Sequence, residues 1–204
     1  MQSLLLYGGG LDSTALLLQL LQDYPNLKVL HFNYGQKAFL AERQAALYWC
    51  NKYELELIPM TTDLSFSQAT IMKGTSVGNR ETNRLELRNL VLIAQAASFA
   101  ASTFNSSILY LGFHKEPYNS GFLDAKQNYL PYLRDTLDKA TDRPVCLSTP
   151  FRDMTRQEIL ELGIKLDKEI LTHSHTCYEP QTCGVCVHCI ERANMIKRIG
   201  ALNE

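Results

Sequence analysis

The chain has no run approaching twenty consecutive apolar residues, the length a membrane-spanning helix requires. It also lacks an excess of charge of either sign: 20 Lys and Arg stand against 21 Asp and Glu, for a net charge of −1. Without a basic stripe, a duplex or tRNA is not the expected main partner. No internal repeat and no low-complexity tract is present, which sets aside solenoid architectures. The opening MQSLLLYGGG has no basic stretch before its apolar residues and no small-residue cleavage site after them, so a strand is expected there rather than a secretory signal. Cysteine is sparse outside one region. Cys50 and Cys146 stand alone and are expected to be buried as small hydrophobes. The expectation is a reduced, cytoplasmic chain with no membrane segment.

The other four cysteines, Cys177, Cys183, Cys186 and Cys189, form the pattern C-x5-C-x2-C-x2-C. Thiolate is a preferred ligand of Zn²⁺, and four thiolates can complete its tetrahedron. Two successive C-x2-C steps need a tight knuckle, and Gly184 supplies backbone freedom for it. With no open coordination position, such an ion organises the chain and does not activate water. Two disulfides or free thiols are the competing reading, and His188 in place of one thiolate is a variant of the zinc one.

Hydrophobic residues make up 46% of the 204 residues, enough for a core. Short apolar runs at 3–7, 27–32, 55–60, 108–112 and 144–149 read as strands. Periodic segments at 12–22, 37–52, 86–104, 121–139 and 156–162 read as helices. Residues 61–83 form a long polar stretch with little periodicity, of the kind that often serves as a lid. Alternation of strand and helix predicts an α/β fold, a parallel sheet with helices on both faces. The expected division is a nucleotide-binding domain over 1–170 and a zinc-binding segment over 171–204. In such sheets ligands bind beyond the carboxyl ends of the strands, where strand order reverses.

Tyr7-Gly8-Gly9-Gly10-Leu11-Asp12-Ser13-Thr14 falls where the first strand passes to the first helix. Three glycines let main-chain N–H groups turn toward one point, and the helix start favours an anion there. Ser13 and Thr14 add hydroxyl donors. No lysine follows the glycines, so this is not a Walker loop, and the spacing is not the dinucleotide fingerprint. Asp12 would repel phosphate unless it binds Mg²⁺ or caps the helix. A plain glycine turn with a capping residue is the alternative.

Gly9-Gly10-Leu11-Asp12-Ser13-Thr14 resembles the S-G-G-x-D-S-[ST] loop of the ATP pyrophosphatase, or PP-loop, enzymes. With Phe32-Asn33-Tyr34-Gly35-Gln36-Lys37, Arg88-Asn89-Leu90 and the cysteine tail, the chain resembles the 7-cyano-7-deazaguanine synthase family over nearly its whole length. The resemblance implies a Rossmann-like PP-loop domain with a zinc-bearing C-terminal segment, usually a homodimer. It implies conversion of 7-carboxy-7-deazaguanine, ammonia and ATP into the nitrile through an adenylate and an amide. By the same resemblance, residues 7–14 and His31 bind ATP, with His31 equally suited to a structural role. Asp12 holds Mg²⁺, and Lys37, Arg88 and Arg156 are cations of the active face, with a solvated Lys37 as the alternative. Tyr34, Gln36, Arg88, Asn89, Tyr118, Phe122 and Asp124 are the expected substrate contacts, the last three in a stretch that an ordinary hairpin turn would also explain.

The sequence departs from the family pattern at several places. Gly8 stands where the loop has its first serine, Leu85-Glu86-Leu87 replaces Val-Pro-Gly, Arg156 replaces a lysine, and Leu123 and Ala125 replace Pro and Cys. Three other readings accompany the first. One is activation of the same acid with transfer to a protein amine, as in relatives associated with antiviral defence. Another is a PP-loop tRNA-modifying enzyme using the cysteines for sulfur or an iron–sulfur cluster. The last is a nucleotide-binding scaffold without activity.

Overall fold

The computed structural model describes residues 1–72, 84–115 and 128–202. Five strands form one parallel sheet: β1 (Gln2–Leu6), β2 (Lys28–Asn33), β3 (Glu56–Thr61), β4 (Ser107–Tyr110) and β5 (Val145–Ser148). Their order is β3-β2-β1-β4-β5. β1 is central, pairing Leu5 with Val29 on one side and with Tyr110 on the other. Its middle three residues are buried on both faces, as a continuous apolar run in a covered parallel sheet must be. β3 is an edge strand, and it carries Pro59 there, where a missing N–H is tolerated.

The helices are α1 (Leu11–Leu20), α2 (Phe39–Lys52), α3 (Arg88–Thr103), α4 (Leu130–Ala140), α5 (Arg156–Leu166) and α6 (Val187–Leu202), with a 3-10 turn at Lys168–Leu171. Two cores flank the sheet. One holds Ile93, Ala96 and Ala100 of α3 and Leu133 of α4. The other holds Leu16 and Leu17 of α1, Trp49 of α2, Ile159 of α5 and Met195 of α6. α1 is apolar almost all round because it lies between the sheet and α5. Strand order reverses between β1 and β4, so the loops after these two strands lie side by side. A Cβ on Gly112 would meet the Ser13 backbone at 3.6 Å.

The expected elements are present, with shifted ends. α5 runs four residues past its expected end, through Gly163, because packing against α1 sustains it. α4 covers only the second half of the segment expected to be helical; residues 116–127 are outside the described ones. α6 was not expected at all. Cys50 is buried as expected, whereas Cys146 is exposed. It alternates with buried Val145 and Leu147 on edge strand β5 and faces the side that they do not. In the long polar stretch, Leu64, Ala69, Ile71 and Met72 enter the core, and Ile71 accepts a hydrogen bond from the Lys37 N–H. Its first half is therefore packed; residues 73–83 are outside the described ones.

Candidate active site

The glycine loop leaves β1 at the switch point and opens α1. Gly9 has φ +77°, and a Cβ there would fall 2.8 Å from the Glu42 Cα, so α2 can approach only a glycine. Gly8 is exposed, with nothing within 4 Å of the position a Cβ would take. Gly10 is the residue before the helix and gives α1 no side-chain cap, leaving the first N–H groups of the helix without one. Leu11 is buried in the core, so only its main chain can serve the loop. The hydroxyls of Ser13 and Thr14 both donate to the Gly10 carbonyl, at 3.1 and 2.8 Å. Thr14 is fully buried and also lies 2.8 Å from the Tyr7 hydroxyl, so Tyr7 and Thr14 brace the loop from beneath.

Asp12 lies in the first turn of α1, where the helix dipole favours an anion. Arg156 Nη2 is 3.4 Å from its carboxylate and His114 Nε2 3.9 Å. Arg156 is the first residue of α5. A capping box places it there: the Glu158 N–H donates to the Thr155 hydroxyl, and the Thr155 N–H donates to the Glu158 carboxylate. Arg88 is likewise the first residue of its helix, α3, preceded by Leu87 in the left-handed region at φ +57°. That conformation costs a non-glycine residue about 1–2 kcal/mol. Two helices on the carboxyl edge thus begin with a cation that their own dipoles disfavour. An anion bound beside either helix start would offset that cost.

His31 is buried within β2, two residues before its end, stacked on Phe39 with ring centroids 5.7 Å apart. Desolvation holds its pKa below the usual histidine value, so the ring is neutral near pH 7. Nδ1 lies 3.0 Å from the Tyr7 carbonyl, which can only accept, so the proton sits on Nδ1. Nε2 is then an acceptor, and it has no partner among the described residues.

The other expected residues divide. Arg88 donates to Asn89 Oδ1 from Nε and Nη2, at 3.2 and 3.1 Å, and its Nη1 is 3.5 Å from the Tyr34 hydroxyl. These three residues form one cluster. Gln36 is spent locally: it accepts from the Tyr34 N–H and donates to the Phe32 carbonyl and to Glu42. Lys37 pairs with Glu179, so it is neither solvated nor directed at the glycine loop alone. Tyr118, Phe122 and Asp124 lie outside the described residues. Glu42 was not anticipated. Burial pushes its carboxyl up to about 7, against the opposing effects of the Gln36 amide and the Arg88 charge. An acidic residue on a helix gives little notice of this; only the Gly9 contact places it under the loop.

The cysteine segment is joined to this site. Its four sulfurs all lie within 4.8 Å of one another, with separations of 3.5, 3.9 and 4.0 Å for three of the pairs. A metal–sulfur bond of about 2.3 Å implies a tetrahedral edge of about 3.8 Å, so the four residues can hold one ion. N–H groups of Glu179, Cys183, Cys186 and Cys189 donate to the sulfurs, which stabilises thiolate charge. Gly184 turns the knuckle at φ +75°. His188 is not in the ligand set: its Nε2 is 2.6 Å from the Tyr178 hydroxyl. Just before the knuckle, the His175 N–H donates to the Gly9 carbonyl at 2.7 Å, and a Cβ on Gly10 would lie 3.7 Å from the Thr176 methyl. The segment thus crosses over the glycine loop.

A parallel sheet whose switch-point loop reads Gly-Gly-Leu-Asp-Ser-Thr is the arrangement of the PP-loop class of α/β folds. Solved structures agree on the fold. The U34-tRNA thiolase NcsA of Methanococcus maripaludis, with its [4Fe-4S] cluster, superposes with a TM-score of 0.55 at 15% identity, over 98% of this chain and 65% of that one. A 4-thiouridine synthetase in an RNA complex with bound ATP gives 0.53 at 16%, over 99% of this chain and 51% of that one. Within the class, the chain belongs to the family described as queuosine biosynthesis protein QueC, whose family model matches residues 2–200. The 7-cyano-7-deazaguanine synthase of Desulfotalea psychrophila is 27% identical over 96% of this chain and 93% of that protein. That of Pyrococcus furiosus is 27% identical over 98% and 94%.

Proposed function

We propose that the protein is an ATP-dependent carbon–nitrogen ligase acting on 7-carboxy-7-deazaguanine, with ammonia as the amine, in the formation of 7-cyano-7-deazaguanine. Family membership supplies the substrate class. The observation that carries the chemistry is the approach of Arg156, at the start of α5, to Asp12 of the glycine loop at the switch point.

A carboxylate oxygen is a poor leaving group. Attack of that oxygen on the α-phosphorus of ATP forms a P–O bond, breaks the α–β bridge and releases pyrophosphate, leaving AMP attached to the acyl carbon. The amine nitrogen then forms the C–N bond, AMP departs and the nitrogen loses a proton, giving the amide. A second ATP transfers its AMP to the amide oxygen with release of pyrophosphate, and loss of that AMP with the two remaining N–H protons leaves the nitrile. Positioning and charge neutralisation are the protein's tasks in each step. The main chain of residues 8–13 and the start of α1 cradle the phosphates, and Arg156 offsets their charge. Arg88, with Tyr34 and Asn89 around it, suits the substrate carboxylate, which a guanidinium can grip bidentately. Asp12 is the carboxylate that would hold Mg²⁺, which neutralises phosphate charge when bound. Zn²⁺ fits Cys177, Cys183, Cys186 and Cys189 better than an iron–sulfur cube, because the sulfurs are spaced as edges of a tetrahedron about a single ion.

Pyrophosphate release measured with and without 7-carboxy-7-deazaguanine tests the reading, with Asp12→Ala as the control. Release that depends on the acid and falls at least about 100-fold in the variant is expected. Release that ignores the acid, or that survives the substitution, overturns it. Mass spectrometry of the product distinguishes a free nitrile from acyl transfer to a protein amine.

A further inference from the structure

Arg156 is buried to within 9% of full enclosure at a helix start, a position where the dipole opposes its charge. Two carboxylates face it, from opposite ends of the chain. Asp12 of α1 lies 3.4 Å from Nη2, and Glu191 of α6 lies 2.6 Å from Nη1. The nearer contact has the length of a charge-assisted hydrogen bond, while the farther is only an ion pair. Glu191 is itself placed: His188 Nδ1, one turn earlier on α6, is 3.6 Å from the same oxygen, and His188 Nε2 meets the Tyr178 hydroxyl. The adjacent Arg192 ties α6 to the crossing segment independently. It donates to the Ser174 carbonyl and hydroxyl, to the Thr176 hydroxyl and to the Leu171 carbonyl. The position of α6 therefore does not depend on Glu191.

We propose that Glu191 is a positioning residue for the nucleotide site. It fixes one edge of the Arg156 guanidinium so that the other edge is presented to Asp12 and the glycine loop. A planar guanidinium can bridge two carboxylates along separate edges, which a lysine ammonium does with less geometric control. Arginine at 156 and glutamate at 191 thus form one unit, assembled from α5 and the metal-binding segment. The inference rests on the reading that the glycine loop receives ATP.

The test uses the full chain with its metal. ATP dissociation constants and KM values for both substrates are measured for wild type, Glu191→Gln, Arg156→Met and the double variant, with metal content and melting temperature beside them. Glu191→Gln is expected to weaken ATP about tenfold, the size of one charge-assisted hydrogen bond, with KM for the acid and the metal content unchanged. In the Arg156→Met background the same change is expected to have no effect on ATP. Unchanged or tighter ATP binding by Glu191→Gln overturns the proposal, the latter by showing that Glu191 competes with phosphate for Arg156. So does an equal tenfold loss in the Arg156→Met background. Should Glu191→Gln shed its metal, Arg156→Lys supplies the readout: about tenfold weaker ATP with metal retained supports the unit, and wild-type affinity sinks it. A wild-type chain that binds no ATP fails the functional reading first, and this inference with it.

Discussion

At the scale of single residues, adjacent glycines in one loop have opposite tolerances. Gly8 has open space where a side chain would go, and its backbone is not in the left-handed region. Gly8→Ser should fold normally and add a hydroxyl donor toward phosphate, tightening ATP by about tenfold in calorimetric titration. Gly9→Ala should destabilise the chain by about 3 kcal/mol or more in urea unfolding, since a Cβ would strike the Glu42 backbone at φ +77°. Glu42 carries its own expectation. Its carboxyl is raised from 4.5 to about 7 in the folded chain. Below pH 4.5 it is neutral both folded and unfolded. As pH rises from there through 7, the unfolded chain releases the proton first, so stability falls across that window. Glu42→Gln should therefore gain little at pH 4 and roughly 2 kcal/mol at pH 8, allowing for the partial exposure of the group. Equal gains at both pH values would show that the carboxyl is not the cause.

Among the elements, the strands and the first three helices were legible because each carries a long apolar pattern or a clear turn at its end. The parallel sheet and the site at its carboxyl edge follow from that alternation. The last helix was not read, although Cys189, Arg192, Met195 and Ile199 recur at a helical interval. Two of its inward positions are a thiol and an arginine, which hide the stripe from any count of apolar residues. Its role is equally indirect: α6 supplies Cys189 to the four-cysteine cluster, Glu191 to Arg156, and Arg192 to the crossing segment. Metal binding and folding of such knuckles are coupled. Chelation of the bound metal is expected to lower the melting temperature and to weaken ATP at least about tenfold, because the segment over Gly9 and Gly10 loses its anchor. By reciprocity, saturating ATP should tighten the metal by the same factor, so that more chelator is needed to remove half of it at equilibrium, read by a colorimetric metal dye. An equal chelator midpoint with and without ATP would disconnect the two sites.

Across the whole molecule, the near-neutral charge is uninformative about the site, because the relevant cations are few and local. The four cysteines were legible as one cluster from their spacing, and Asp12 and Arg88 stand at helix starts that the strand–helix alternation foretold. The partners of Lys37 and Arg156 were not, since Glu179 and Glu191 lie far away in sequence and carry no local signature. A contact between residues 9 and 175 is a product of topology, and no spacing rule announces it. That contact has a bearing on synthesis. A ribosome releases the loop well before the segment that crosses it, so the Gly9 carbonyl can gain its His175 partner only after residue 175 has emerged.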